Sequence, residues 1–179
     1  MDLIFAVHKL GNISANPGKV HFEGLVHLLR YIRENKTLGL EYYEDIYDAP
    51  VPDLFRQVSI ETENHLMPFS DPSWQDSPDT VRSTRAYIIF YQGGTIDHDT
   101  HVPEPVAQSS AESEHNTSCN AGMALAHSMI LVHDFLNKDT DIVPEEAPLI
   151  MLDSKSAMCM DKNGKYTKHT RHIARIIHF

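Results

Sequence analysis

Cysteine is scarce in this chain, and its two cysteines, Cys119 and Cys159, stand without CxxC spacing. This usage suits a reducing compartment and argues against both a disulfide framework and a zinc site. The chain also lacks any run of eighteen or more apolar residues, which a membrane-spanning helix needs. The segment Met1 to Leu10 has neither a basic stretch nor a small-residue cleavage site. The sequence therefore predicts an intracellular protein with no membrane partner.

Positive charge is scarce as well, because 15 Lys and Arg residues face 25 Asp and Glu residues and the formal net charge is −10. A protein that binds nucleic acid by releasing phosphate counterions usually carries a basic face. The composition therefore counts against a general nucleic-acid binder. The 12 histidines weaken this argument slightly, since they add positive charge below about pH 6.5.

The 179 residues, 41% of them hydrophobic, are enough for one compact domain and a smaller appendage. Apolar residues at helical spacing on either side of Asn16-Pro17-Gly18 predict two packed helices in the first 35 residues. Glu44 to Asp53 carries acids and spaced prolines, which are typical of an extended connection. We therefore divide the chain into a helical segment with a linker, residues 1–55, and a larger domain, residues 56–179.

A three-strand meander is predicted at the start of the larger domain. Gln57 to Phe69 alternates weakly between apolar and polar residues, and Ala86 to Tyr91 strongly favours a strand. Gly93-Gly94 is a predicted turn into a third strand near Val106-Ala107-Gln108.

A long, broadly buried helix follows, opened by the capping-box pattern Ser109-x-x-Glu112 and extending to Asn137. Its apolar residues fall on two neighbouring stripes, one with Cys119, Met123, Ala126 and Ile130 and one with Leu125, Met129, Val132 and Leu136. Leu149 to Leu152 is a short apolar run typical of a central strand, and Asp153 follows it directly. The predicted fold is α/β, with a mixed sheet flanked by helices.

Three acids are candidate metal ligands: Asp71, Glu112 and Asp153. Each has a purely structural alternative, because Asp71 could open a turn, Glu112 could complete the capping box and Asp153 could cap a helix. Together, a strand-end acid, an acid in the first turn of the next helix and an acid after a later strand can converge on one sheet edge. Three close carboxylates repel unless cations neutralise them. The arrangement predicts a site for two divalent cations about 3.5–4 Å apart.

Five motifs in fixed order resemble the ribonuclease H domain of a copia-type LTR retrotransposon polyprotein. They are Ser70-Asp71-Pro72-Ser73-Trp74, Arg82-Ser83-Thr84-Arg85-Ala86-Tyr87, Ser109-Ser110-Ala111-Glu112-Ser113-Glu114, Asp153-Ser154-Lys155-Ser156-Ala157-Met158 and Thr170-Arg171-His172-Ile173. Asn16-Pro17-Gly18-Lys19 and Leu28-Leu29-Arg30-Tyr31-Ile32 resemble the end of the preceding reverse transcriptase. The resemblance thus spans nearly the whole chain.

The resemblance implies a ribonuclease H-like mixed sheet with a small helical N-terminal extension from the reverse transcriptase. The implied activity is cleavage of the RNA strand of RNA/DNA hybrids with Mg²⁺ or Mn²⁺. Asp71, Glu112 and Asp153 become the metal-binding catalytic acids. Glu114 competes with Glu112, which we prefer because it follows the position of the family's serine-serine-threonine.

The chain departs from the family at two places, Ala174 and the segment Asp97 to Glu104. The family often carries lysine or arginine in that segment, so its acids are expected to weaken the grip on a hybrid duplex. Ala174 stands where the family usually has a fourth metal-binding aspartate, so the second cation is expected to bind weakly and activity to be reduced. Arg171 and Arg175 are candidates for substrate contacts or for part of the missing cation's charge; the alternative is a solvated helix face. His169 is the candidate mobile-loop histidine, although the family position falls at Thr167.

The alternative function is a catalytically degenerate module kept for nucleic-acid binding or dimerisation. Ala174, the net charge and the acids Asp97 and Asp99 favour it, whereas the three intact acids oppose it. A homodimer that completes the site across chains is a third hypothesis. The implied partners are an RNA/DNA hybrid and the rest of the polyprotein, and the implied location is a cytoplasmic particle or the nucleus.

Overall fold

A computed structural model of the chain describes residues 3–53, 56–57, 66–73, 83–103, 107, 109–136 and 150–153. Within these residues the fold is α/β, with three helices of two turns or more and a three-stranded antiparallel sheet. The chain divides into two compact units, one ending at Leu40 and the other beginning at Glu41. In the described part of the chain, no helix is both long and apolar enough to span a membrane.

The first unit contains the two predicted helices, α1 (Ile4–Asn12) and α2 (Lys19–Glu34). The two helices contact each other, and Leu28 is the buried residue of α2. At the start of α2 the Gly18 N–H donates to Nδ1 of His21 at 2.9 Å. A histidine therefore takes the place of the Glu or Gln that usually completes a capping box.

The sheet consists of β1 (Leu66–Ser73), β2 (Thr84–Tyr91) and β3 (Gly94–His101), in that spatial order. Both pairings are antiparallel, so the predicted meander is present. The position predicted for its third strand, 106–108, is wrong, because β3 begins directly after the Gln92–Gly93 turn. Only one residue of β3, Ile96, has a large apolar side chain, so the strand lacks the alternation by which strands are recognised.

Residues 41–53 pack on one face of the sheet. Ile46 and Ala49 form a buried cluster with Met67 of β1. The Tyr43 N–H donates to the Gln92 carbonyl at 3.0 Å and holds the segment against the β2–β3 turn. The boundary that the sequence suggests at 55/56 stays a prediction.

Helix α3 (Ser110–Leu136) packs against β1 and β2. Its Leu125 forms a second buried cluster with Leu66 and Ile89. The long helix predicted from the sequence is confirmed within two residues at each end.

Residues 150–153 add a parallel contact to the other edge of β1. Met151 forms a parallel bridge with Phe69. The Met151 N–H donates to the Pro68 carbonyl at 2.9 Å, and the Ser70 N–H donates to the Met151 carbonyl at 3.3 Å. β1 therefore has an antiparallel neighbour, β2, on one edge and a parallel contact, Met151, on the other, which agrees with the predicted mixed sheet. The helix that Asp153 could cap lies outside the described residues.

Candidate metal centre

Asp71 and Asp153 are brought together by backbone pairing. In a parallel ladder, positions the same distance beyond a bridged pair lie side by side. The bridge between Phe69 and Met151 therefore places Asp71 level with Asp153, two residues further along each segment. The sequence suggested that Asp71 lies at the end of a strand. In the structure it lies inside β1, because the strand continues to Ser73. Both side chains are exposed.

Glu114 comes to the same place from the first turns of α3. The helix start is fixed by Ser109, whose Oγ accepts the Glu112 N–H at 3.1 Å and whose carbonyl accepts the Ser113 N–H at 3.1 Å. Because α3 packs on β1, the first turns of the helix reach the strand that carries Asp71. Glu114 is half-buried there.

The three carboxylates form one compact group. One oxygen from each of Asp71, Glu114 and Asp153 lies within 4.8 Å of the other two. Oε2 of Glu114 is shielded from solvent and has no hydrogen-bond partner among the described residues. A buried carboxylate oxygen without a donor is costly. The group is therefore suited to a hard divalent cation, which binds oxygen ligands.

Loss of solvent, together with the negative charge of the neighbouring acids, raises the pKa of two of the acids. Burial raises the pKa of Glu114 to about 7, and the charges of Asp153 and Asp71 add to this effect. The side chain of Asp71 is exposed, but neighbouring groups remove part of its solvent, and this desolvation raises its pKa, again with a contribution from the charge of Asp153. Without a cation Glu114 is thus mostly protonated below about pH 7. A divalent cation would reverse this preference by stabilising the ionised form.

Glu112, preferred from the sequence, is not part of this group. It lies in the first turn of α3, where its negative charge acts on Arg85 of β2. Two residues along a helix correspond to a rotation of roughly 200°, so Glu112 and Glu114 point in different directions. The structure brings Glu114, and not Glu112, to Asp71 and Asp153.

The buried stripe of α3 is the signal that separates the two glutamates. Glu114 is in phase with Ser118, Ala121 and Leu125, which are 4, 0 and 5% exposed. Glu112 is in phase with Met123 and Ile130, which are 65 and 60% exposed. Beyond its first turns the helix is therefore buried mainly on the stripe that contains Ala121 and Leu125, whereas the sequence predicted burial of both stripes. An acid in phase with the buried stripe is the one that meets the sheet.

The remaining sequence-based site residues, His169, Arg171 and Arg175, lie outside the described residues, as does Ala174. Asp97 and Asp99, the acids expected to weaken binding of a duplex, lie in β3. There Asp99 contacts Nδ1 of His101 at 2.7 Å, so part of its charge has a partner within the strand.

Comparison with known proteins finds similarity to plant transposon polyproteins. The retrovirus-related Pol polyprotein from transposon TNT 1-94 of Nicotiana tabacum is 25% identical over 172 residues, which are 96% of this chain and 11% of the polyprotein. That from transposon RE2 of Arabidopsis thaliana is 24% identical over 178 residues, 99% of this chain and again 11% of the polyprotein. The chain thus spans about a tenth of the length of these relatives.

The secreted RxLR effector protein 161 of Plasmopara viticola is 27% identical over 114 residues, which are 64% of this chain and 69% of the effector. No family model matches the chain. No solved structure matches it either. The predicted similarity to a retrotransposon polyprotein is confirmed, whereas its ribonuclease H identity and copia type stay predictions.

Proposed function

We propose that this chain is a metal-dependent ribonuclease H that cleaves the RNA strand of RNA/DNA hybrids. The observation that carries the proposal is the convergence of Asp71, Glu114 and Asp153 from two paired backbone segments and a packed helix. Acids from three separate elements meet within a few ångströms, although their mutual repulsion opposes this arrangement.

The donor set fits Mg²⁺ or Mn²⁺. All three side chains offer carboxylate oxygens, the ligands that both cations accept. Glu114 contributes a buried oxygen without a partner, which a cation would satisfy. Asp71 and Asp153 are exposed, so hydrated cations and a substrate phosphate can approach from their side.

Each acid has a separate role in the proposed reaction. Asp71 and Asp153, held level by the backbone, would bind the cation on the substrate side. Glu114 would bind it from the helix side and limit access of water. Bound Mg²⁺ or Mn²⁺ would activate the attacking water and stabilise charge on the leaving 3′-oxygen. Contacts with 2′-hydroxyl groups would select RNA over DNA.

The five ordered motifs and the similarity to Pol polyproteins support this assignment. On the same basis, the N-terminal unit is proposed to derive from the reverse transcriptase, and the rest of a polyprotein is the proposed partner. His169, Arg171 and Arg175 keep their proposed roles near the substrate. With Ala174 at the fourth acidic position, a second cation is expected to bind more weakly than the first.

The test is cleavage of an end-labelled RNA/DNA hybrid in Mg²⁺ and in Mn²⁺, with double-stranded RNA and DNA as comparison substrates. We expect the parent to cut only the RNA strand of the hybrid. Asp71→Asn should reduce the rate by at least about 100-fold, because it removes a charged ligand with little change in shape.

The matched control is Asp48→Asn, which neutralises an exposed acid outside the group. It should cleave like the parent, and purification of all three proteins by one protocol exposes any contaminating nuclease. No cleavage by the parent, or equal cleavage by Asp71→Asn, rules the proposal out. A parent that binds the hybrid without cutting it would instead indicate a degenerate binding module.

A further inference from the structure

The acids of β3 lie on one face of the sheet. Side chains alternate between the two faces along a strand, so Asp97 and Asp99 share a face. His98 and Thr100 point to the other face. Asp97 lines a cavity together with Val132 of α3. Both acids therefore lie on the face against which α3 packs, which we call the helix face.

Tyr87 of β2 supports this orientation independently. It pairs directly with Asp99, and the side chains of directly paired residues point to the same face. Tyr87 packs against the buried cluster that contains Leu125 of α3. Burial raises the pKa of Tyr87, and the charges of Asp97 and Asp99 and a hydrogen bond with Asp97 add to this effect. The acids of β3 are thus in contact with the helix face of β2.

Asp71 belongs to the opposite face. Phe69, two residues before it and therefore on the same face, packs against the cluster that contains Ile46 and not against α3. Ala86 lies directly opposite Asp71 in the ladder, and Thr100 lies directly opposite Ala86. Because neighbouring strands are about 4.8 Å apart, Thr100 lies about 10 Å from Asp71. We call this surface the Asp71 face.

The Asp71 face is suited to the sugar–phosphate backbone of a substrate. Asp71 and His98 are exposed, and Ala86 and Thr100 are half-buried. The small side chain of Ala86 leaves room for a close approach beside the metal centre. Beyond it, β3 contributes a hydroxyl and an imidazole to this face, whereas its two acids point to the helix face.

We propose that the RNA/DNA hybrid crosses the sheet on the Asp71 face, from the metal centre over Ala86 to Thr100 and His98, which contact its sugar–phosphate backbone. Contacts of this kind position a duplex without reading its sequence. At about 3.4 Å per base step, Thr100 lies about three steps from the scissile phosphate. The inference rests on the proposed function, which brings a hybrid to the metal centre.

This path also changes the meaning of the acidic segment. The sheet separates Asp97 and Asp99 from a hybrid on the Asp71 face, and their charges are partly screened over such distances. Their presence therefore weakens binding less than the sequence suggests.

The test compares two variants that raise the net charge by the same amount on opposite faces. Thr100→Lys adds a positive charge to the Asp71 face, and Asp99→Asn removes a negative charge from the helix face at the neighbouring position. Fluorescence anisotropy of a labelled RNA/DNA hybrid gives the Kd of each full-length variant in EDTA, which prevents metal-dependent cleavage, at several salt concentrations. Thr100→Lys should tighten binding about tenfold and increase the salt dependence by about one phosphate contact. Asp99→Asn should change the Kd less than about threefold.

Thr100→Val tests the native contact, because it removes the hydroxyl and keeps the shape of the side chain. It should raise the KM for cleavage of the hybrid about two- to tenfold and leave kcat unchanged. Melting temperatures confirm that each variant is folded.

Equal effects of Thr100→Lys and Asp99→Asn on the Kd, or a larger effect of Asp99→Asn, overturn the inference whether or not the chain cleaves the hybrid. A parent that binds no hybrid overturns it as well. A parent that binds the hybrid with the expected difference between the two variants, but does not cleave it, overturns the proposed function alone.

Discussion

Met151 pairs with Phe69 in a parallel bridge, and the register of this bridge sets Asp153 level with Asp71. Two acids that are far apart in sequence thus become neighbours through backbone hydrogen bonds alone. Their side chains do not attract each other, so their proximity depends on the bonds on either side of Met151. Glu114 completes the group only because α3 packs across β1.

Removal of the Met151 N–H should therefore weaken the metal site. Met151→Pro deletes the donor to the Pro68 carbonyl, a 2.9 Å bond, and should lower Mn²⁺ affinity about tenfold or more. It should also reduce the free energy of unfolding by about 1–3 kcal/mol. Titration with Mn²⁺ and chemical denaturation measure the two effects. Met151→Leu, which keeps the donor and the apolar character, is the control and should match the parent in affinity.

The metal-free protein should lose stability as the pH rises from about 4.5 to about 7. Glu114 has a pKa of about 7 in the folded state and an ordinary value near 4.5, so in this window the folded protein binds more protons than the unfolded chain. The contribution of Glu114 to stability is therefore largest below about pH 4.5 and is lost as Glu114 ionises. Melting temperatures measured in EDTA across this range should show the decline.

Glu114→Gln removes the titrating group and should flatten the decline in EDTA. Addition of Mn²⁺ to the parent should have the opposite effect, because cation binding strengthens as Glu114 ionises. Identical pH profiles for the parent and Glu114→Gln in EDTA would contradict this account.

The helices were predictable because their signals are local. Apolar residues at helical spacing mark α1, α2 and α3, and Ser109 marks where α3 begins. β3 was not predictable in the same way, since Asp97, His98 and Asp99 occupy its centre. The strand forms because the turn before it places its backbone beside β2. The antiparallel hydrogen bonds between the two backbones do not require apolar side chains.

The metal centre was partly predictable for a related reason. Asp71 and Asp153 are associated with apolar runs that pair through a parallel bridge, and this arrangement brings the two acids together. The choice between Glu112 and Glu114 depends on the rotation of α3 about its axis. Leu125 decides that rotation by packing with Leu66 and Ile89, and nothing in the sequence of α3 alone ranks its two apolar stripes.

Gly94 should not tolerate a side chain. A Cβ at this position would lie 2.5 Å from the ring of Tyr42 and 2.7 Å from the backbone carbonyl of Glu41. Gly94→Ala should therefore displace residues 41–53 from the β2–β3 turn and cost about 1–3 kcal/mol of stability. Gly39→Ala is the control, because a Cβ there meets nothing within 4 Å. Equal denaturation midpoints for the two variants would contradict the close packing of Tyr42.

Glu114 and Glu112 should differ in how their loss responds to metal concentration. Glu114→Gln removes a proposed ligand, so cleavage of the hybrid should stay at least about 100-fold below the parent even at saturating Mn²⁺. Glu112→Gln leaves the three proposed ligands unchanged, so its activity should stay close to that of the parent at every Mn²⁺ concentration. Rates across a Mn²⁺ series separate the two cases. The opposite result would indicate that Glu112 is the ligand. In that case the cleavage rate of Glu114→Gln would recover at saturating Mn²⁺ and that of Glu112→Gln would stay low, because added metal cannot replace a direct ligand.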